Sequence, residues 1–229
     1  MAAELLLSCV ATDGDGYAAV LGSGAAVLAG GSDWTTVSGP PIADGEGLRI
    51  GTADGEGVEA GWSARGGRLE IESDELRVAA TPVTATVAGE RSLAGEGVLW
   101  ELDVPAASAL RTIWARFADG GMLVLIKIRP DGADEHGEEQ AVCVRQPPEG
   151  EAFGYELPLL STEYDPAGGH RRATLELWRT ADEGLPDRGG GLRSAGGGVR
   201  ANDLELEAAR FEWRLDGTSG IGGYEILTR

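Results

Sequence analysis

The hydrophobic pattern of this chain repeats every two residues, and that period governs what it can fold into. Gly67-Arg-Leu-Glu-Ile-Glu-Ser73 alternates apolar and polar side chains, as do Gly97-Val-Leu-Trp-Glu-Leu-Asp-Val104, Ala173-Thr-Leu-Glu-Leu-Trp-Arg179 and Phe211-Glu-Trp-Arg-Leu215. Successive side chains of a strand point to opposite faces, so each segment can bury one face and wet the other. No stretch sustains the i, i+3, i+4 spacing of an amphipathic helix; Pro105 to Arg111 has room for one turn at most. Strands are predicted at 4–10, 16–22, 25–29, 33–38, 46–52, 57–64, 67–72, 76–88, 96–104, 109–117, 121–129, 139–146, 152–160, 171–180, 204–215 and 220–228. Turn residues separate them at the short intervals of an all-β sandwich or barrel. Asp-Gly pairs at 13–14, 15–16, 44–45, 54–55, 119–120, 131–132 and 216–217 mark hairpin turns, whose two central residues both take positive φ.

Two segments read as loops. Thr180 to Asn202 is rich in Gly, with Asp, Arg and Ser, and has triple-glycine runs at 189–191 and 196–198; it cannot pack a core, so a mobile loop is expected. Gly132 to Glu139 reads as an acidic turn. The first part of the chain is dense in glycine, and the later part carries Trp100, Trp114, Trp178 and Trp213. The expected organisation is an N-terminal β half over 1–94 and a C-terminal β half over 95–229, or one continuous domain, with no tight internal repeat.

Charge and composition exclude several functions. Asp and Glu number 38 against 19 Lys and Arg, a net charge of −19, which repels nucleic-acid backbones and anionic membrane surfaces. No apolar run is long enough for a membrane helix, so neither nucleic-acid binding nor membrane insertion is expected. Two cysteines cannot build a disulfide framework or a multi-cysteine zinc site; Cys9 and Cys143 both lie in strand-like stretches and read as small buried hydrophobes. Leu-Leu-Ser-Cys at 6–9 has the outline of a lipoprotein cleavage site without its basic and apolar regions, so a cytoplasmic location is expected.

Motifs for metal, phosphate and nucleophilic chemistry are absent. His136 and His170 fall in no His-Glu-x-x-His pattern and read as solvated turn histidines; no metal and no cofactor is expected. Gly-x-Ser-x-Gly and a Walker loop are missing, and the Gly-x-Gly strings carry acids where a phosphate would sit. The aromatic strands carry more information. Leu110, Thr112, Trp114 and Arg116 share one strand face, and Trp178 lies with Arg172, Thr174 and Glu176. Such mixed faces suit either a wet cavity lining or an outer surface on which arginine covers an indole. The faces of Trp100 and Trp213 are apolar and read as core.

The chain ends in Arg210-Phe-Glu-Trp-Arg-Leu-Asp-Gly-Thr-Ser-Gly-Ile-Gly-Gly-Tyr-Glu-Ile-Leu-Thr-Arg229: an aromatic strand, Asp-Gly, a glycine turn and a strand with an acid near its start. This resembles the C-terminal signature of the lipocalin-like proteins grouped with hydroxyneurosporene synthase (carotenoid 1,2-hydratase) and the AttH proteins, at Trp213, Asp216, Gly217, Gly220 and Glu225. Ile113 to Lys127 resembles the hairpin of that group in which an aromatic-basic strand turns into an apolar one. The histidine-and-tryptophan stretch before the central hairpin of the group has no counterpart in Val98-Leu-Trp-Glu-Leu-Asp103. The resemblance implies an all-β fold of antiparallel lipocalin-like barrels or a large β-sandwich, with very little helix, and a cavity for an apolar ligand such as an isoprenoid, sterol or polyketide.

Three readings follow. In the first, the chain binds a hydrophobic small molecule, with Trp114, Trp178, Trp213 and Tyr224 lining the cavity and Arg116 orienting a polar end of the ligand. In the second, it is a hydratase, cyclase or isomerase in which a desolvated carboxylic acid, Glu101, Asp103, Glu176 or Glu225, moves a proton. In the third, an acidic sheet surface binds another protein.

Overall fold

The computed structural model describes residues 5–30, 33–43, 47–51, 57–72, 76–89, 92–133, 139–180, 184–201 and 203–229. Among these there is no helix, and therefore none long and apolar enough to cross a membrane. His136 and the Asp-Gly pairs 44–45 and 54–55 lie outside the described residues.

The first sheet contains β1 (Leu5–Ala11), β2 (Gly16–Leu21), β3 (Ala25–Gly30), β4 (Asp33–Ser38), β5 (Pro41–Ala43), β6 (Gly47–Gly51), β7 (Gly57–Ala64), β8 (Leu69–Glu72), β9 (Arg77–Ala88) and β10 (Ser92–Asp103). The second contains β11 (Ala107–Phe117), β12 (Met122–Pro130), β13 (Gln140–Gln146), β14 (Phe153–Tyr155), β15 (Leu157–Tyr164), β16 (His170–Trp178), β17 (Asp187–Ala201), β18 (Leu204–Leu215) and β19 (Thr218–Thr228). The chain passes from one sheet to the other at 104–106. The single turn of helix allowed for Pro105 to Arg111 is instead the start of β11.

Both sheets follow one plan. Neighbouring strands pair antiparallel, and the last strand returns to the first: β10 pairs with β1 (Leu7 opposite Leu99) and β19 with β11 (Ile113 opposite Tyr224). At the edges of each sheet two consecutive strands have no ladder between them, β4 and β5 in the first, β14 and β15 in the second; within the first, β7 and β8 each pair with β9 and not with one another. The first sheet curls into a half-barrel and the second into a nearly closed barrel. This repeat lies in the topology and not in the residues, because many residue choices satisfy the same alternation.

Three apolar clusters organise the packing. Leu7, Cys9, Ala18, Val20, Ile50 and Val87 fill the concave side of the first sheet. Ile113, Leu123, Leu125, Leu175, Phe211 and Trp213 form the apolar inner side of the second barrel. The largest cluster lies between the two, where the outer faces meet: Tyr17, Val27, Trp100, Trp114, Val124 and Leu206. The strands of this seam are buried on both faces. Met122 to Ile126 is therefore an unbroken apolar run, with Leu123 and Leu125 entering the barrel and Met122, Val124 and Ile126 entering the seam.

The predicted loop 180–202 is corrected: residues 187–201 form β17, which pairs along its length with β18. The glycines leave room for neighbours on both sides. A Cβ at Gly197 would lie 2.4 Å from Cγ of Trp34, and one at Gly191 would lie 2.7 Å from Cε3 of Trp213. The side chains that the glycines lack come from Trp34 outside and Trp213 inside. Hairpin chemistry is also narrower than expected: among the described Asp-Gly pairs only Asp216 (φ 47°) and Gly217 (φ 86°) both have positive φ. The cysteines are free and buried, Cys9 within the first sheet and Cys143 within the second barrel, so the two thiols lie in separate cores.

Candidate functional site

Tyr224 and Glu225 are consecutive on β19 and face opposite interiors, and each anchors a polar constellation inside apolar surroundings. Glu225 points into the seam. It is fully buried, accepts hydrogen bonds from the Tyr17 hydroxyl and, at 2.6 Å, from Thr112 Oγ1, and is also bonded by Ser8. Ser8 Oγ in turn accepts from Trp100 Nε1 at 3.2 Å. Tyr17 and Ser8 belong to the first sheet, Thr112 and Glu225 to the second, so both sheets hold this one carboxyl group. Burial pushes the Glu225 carboxyl up to about 7 against the pull of its three hydroxyl donors. Burial and the adjoining Glu225 also raise the Tyr17 phenol well above its usual range. Trp114 stands beside the group, and its Nε1 is buried without a hydrogen-bond partner. Tyr17 also borders a cavity of about 570 Å³ at the end of the first sheet, lined by Ala11, Leu28, Leu93 and Ser92.

Tyr224 points into the second barrel. Its hydroxyl lies 2.6 Å from Thr162 Oγ1 on β15, a bond that crosses the barrel interior. Beside it stands His170, which is fully buried and not the solvated turn residue expected from sequence. His170 stacks on Phe211 (ring centroids 5.5 Å apart) and meets Tyr224 edge-on at 4.6 Å. Nε2 lies 2.9 Å from the Tyr224 carbonyl oxygen and Nδ1 lies 2.7 Å from Glu207 Oε1. Burial would raise the Glu207 carboxyl, but the hydrogen bonds and charge of His170, with the Arg193 guanidinium, hold it below the usual range. Deeper in the barrel Trp213 stacks on Phe211 at 5.2 Å, and its Nε1 is buried with no hydrogen-bond partner.

The barrel end nearest Tyr224 is charged. Arg111, Lys127, Arg129 and Glu139 occupy inward-phased positions on β11, β12 and the entry to β13. Glu139 Oε1 lies 3.0 Å from Arg111 Nη1 and 2.9 Å from Arg129 Nη2, and Oε2 lies 2.5 Å from Lys127 Nζ. Burial alone would raise this carboxyl; the Lys127 hydrogen bond, the Arg111 and Lys127 charges and the Arg129 hydrogen bond bring it down to about 2. The opposite end of the barrel is tied by Tyr155, whose hydroxyl donates to Asp187 at 2.6 Å, and by Arg145, 3.4 Å from both Asp187 and Asp216.

The candidates named from sequence do not form one site. Trp213 and Tyr224 share the barrel interior, while Trp114 faces the seam with Glu225. Arg116 lies at the seam rim, 3.3 Å from Glu96 of the first sheet. Trp178 and Glu176 lie on the outer face of β16, and Glu176 is 3.6 Å from Arg188. Glu101 and Asp103 are exposed on β10, lining an open surface cleft of about 490 Å³ with Arg68, Glu70 and Arg77. Sequence reasoning placed Thr112 on a mixed face without giving it a role, and passed over Tyr17 and Ser8 and the inward-facing Arg111, Lys127, Arg129, Arg193 and Glu207 as site residues. A signal existed for two of these, since Arg111 and Lys127 each interrupt the apolar phase of their strands.

No family model matches the chain, and no curated protein matches it in sequence. Its fold is nonetheless that of solved lipocalin-like proteins. Kievitone hydratase from Nectria haematococca superposes with a TM-score of 0.59 over 99% of this chain and 89% of that one, at 8% identity. A putative AttH from Nitrosomonas europaea gives 0.53 over 96% and 84%, at 9% identity. The lipocalin-like fold implied by the C-terminal signature is thus the fold found; at these identities the likeness concerns the fold alone.

Proposed function

We propose that the protein binds a hydrophobic small molecule in its C-terminal barrel. The observation that carries this reading is the inward wall of the barrel, where Phe117, Leu123, Leu125, Phe211 and Trp213 run continuously beneath the polar end formed around Tyr224. A wall of this kind holds an apolar body and orients a polar end. The Trp213 indole N–H supports it further, because a buried donor without a partner costs about 1–3 kcal/mol unless a ligand acceptor meets it. The unladdered β14–β15 join is a route of entry that breaks no sheet hydrogen bond. Isoprenoid, sterol and polyketide-like compounds fit the chemistry of the wall. Native mass spectrometry of gently purified protein, before and after incubation with a panel of such compounds, tests it. A bound small molecule whose retention is lost in Trp213→Leu is expected. A clean mass under all conditions overturns the reading and moves attention to a protein partner.

A second reading, acid–base catalysis, is favoured by Glu225. A carboxyl group poised near neutrality can protonate an alkene carbon; water then adds to the cation and returns a proton to the carboxylate. One neighbour in fold is itself named a hydratase. In this reading Tyr17, Thr112 and Ser8 stabilise the carboxylate that remains after proton transfer. The test is Glu225→Gln, which keeps the shape of the neutral acid: turnover of an alkene ligand must vanish in a protein that still folds and still retains that ligand.

A further inference from the structure

We propose that the charged mouth of the C-terminal barrel reads a carboxylate, so that the ligand is an amphiphilic acid whose apolar body lies in the barrel and whose head group meets Arg111, Lys127 and Arg129. This inference rests on the reading that the barrel binds an apolar ligand, and adds the class of that ligand. Three observations carry it.

The first is a local reversal of sign. The whole chain carries −19. The inward-facing groups that converge on Glu139 are Arg111, Lys127 and Arg129, that is 3 − 1 = +2 among the described residues, while Arg193 lies with Glu207 and Asp165 beside them. Acids outnumber bases two to one in the chain, yet bases outnumber acids around Glu139.

The second is stoichiometry. An internal ion pair needs one cation per carboxylate, because burying an uncompensated charge is costly. Three cations converge on Glu139, although Arg111 and Lys127 side chains are each only 18% exposed. Among the described residues two positive charges therefore remain in excess, in a site partly withdrawn from water. Arg111 Nε is also buried with no hydrogen-bond partner. A guanidinium fork matches a carboxylate in its own plane, and the bonds Glu139 already receives show that this cluster coordinates that group.

The third is what adjoins the cluster. The Tyr224 and Tyr164 phenols lie within electrostatic reach of Arg111, and the Tyr224 ring touches His170 and Phe211. The charged mouth therefore continues directly into the aromatic wall. A ligand with one acidic end and an apolar body spans both.

Dansyl-aminoundecanoic acid, its methyl ester and dodecyl phosphate, each titrated by fluorescence, test the proposal. The acid is expected to bind about tenfold or more tighter than the ester, the scale of one to two charge-assisted hydrogen bonds. Lys127→Gln and Arg129→Gln should each lower acid affinity several-fold while ester affinity stays as it was. Arg171→Gln, which removes an exposed cation paired with Glu163, should change neither. If the mouth variants fail to fold, salt decides on the native protein: acid binding should weaken steeply from low to high ionic strength and ester binding should not. Equal affinity for acid and ester, or an acid preference that survives both mouth substitutions, overturns the head-group assignment and leaves the apolar site standing. Tighter binding of the phosphate than of the acid overturns the choice of carboxylate. Binding of none of the three overturns this inference together with the reading it rests on.

Discussion

Tyr17, in the second strand of the first sheet, donates a hydrogen bond to Glu225 in the last strand of the second, joining the two sheets through a carboxyl group. Among the described residues Glu225 is the only carboxyl group that is fully buried. Its neighbours Ser8 and Thr112 are fully buried too, so it is held away from bulk solvent. Packing of the two halves and the protonation state of Glu225 are therefore linked.

That linkage has a definite sign. The folded carboxyl titrates near 7 and the unfolded one near 4.5. Between those values the native state holds a proton that the unfolded state has lost, so stability falls as pH rises from 4.5 to 7 and levels off above. The full effect is on the order of 3 kcal/mol. Urea unfolding from pH 5 to 8 should show this decline in the native protein and a much flatter profile in Glu225→Gln. An equal slope in both would place the pH dependence elsewhere.

Glu139 behaves in the opposite sense. Its folded carboxyl is depressed to about 2, so its contribution is present above 4.5 and is lost as pH falls toward 2. Glu139→Gln also leaves Arg111, Lys127 and Arg129 without their common anion. The variant should be less stable at neutral pH and should lose less stability on acidification, measured by thermal melts between pH 2 and 7. A variant as stable as the native protein at pH 7 would show that the three cations do not depend on Glu139.

Gly223 lies directly against Glu225 and Trp114 in the seam. A Cβ there would come within 2.3 Å of Glu225 Oε1 and 2.6 Å of Trp114 Nε1. Gly223→Ala should cost roughly 1–3 kcal/mol by overpacking, and should perturb the titration of Glu225 as well. Gly67→Ala, where a Cβ meets nothing within 4 Å, serves as the comparison and should be near neutral. Chemical denaturation of the two variants side by side gives the difference.

The tryptophans should separate by location. Trp213 is 3% exposed and stacked on Phe211, so Trp213→Ala should cost about 3–5 kcal/mol. Trp178 is half-buried on the outer face of β16, and Trp178→Ala should cost much less. In the barrel-binding reading the outer-face variant also retains ligand, which the same native mass spectrometry reports. Loss of ligand from Trp178→Ala would move the site out of the barrel.

Much of the architecture was legible in the sequence, and the reason is local. Alternation over 204–215 and 57–64 specifies strands whose two faces differ in burial, and the structure keeps those spans as β18 and β7. The missed element, β17, has no pattern of its own, because its glycines present no side chains and are covered by Trp34, Phe211 and Trp213 from other strands. His170 was misread for a related cause. A Gly-Gly-His-Arg-Arg string looks solvated until Glu207, Phe211 and Tyr224 close around the ring.

The site divides the same way. The sequence by itself determined the strands that carry an alternating pattern, the two-faced character of β11 and β19, and the fact that Tyr224 and Glu225 must point in opposite directions, since side chains of an extended chain alternate. Only the tertiary structure decided what each one meets. Return pairing of β19 on β11 puts Tyr224 inside a barrel, and docking of the first sheet on the outside of the second encloses Glu225 with Tyr17, some 208 positions away in sequence. Burial and charge at these residues come from contacts between distant strands, and such contacts leave no local trace in the order of amino acids.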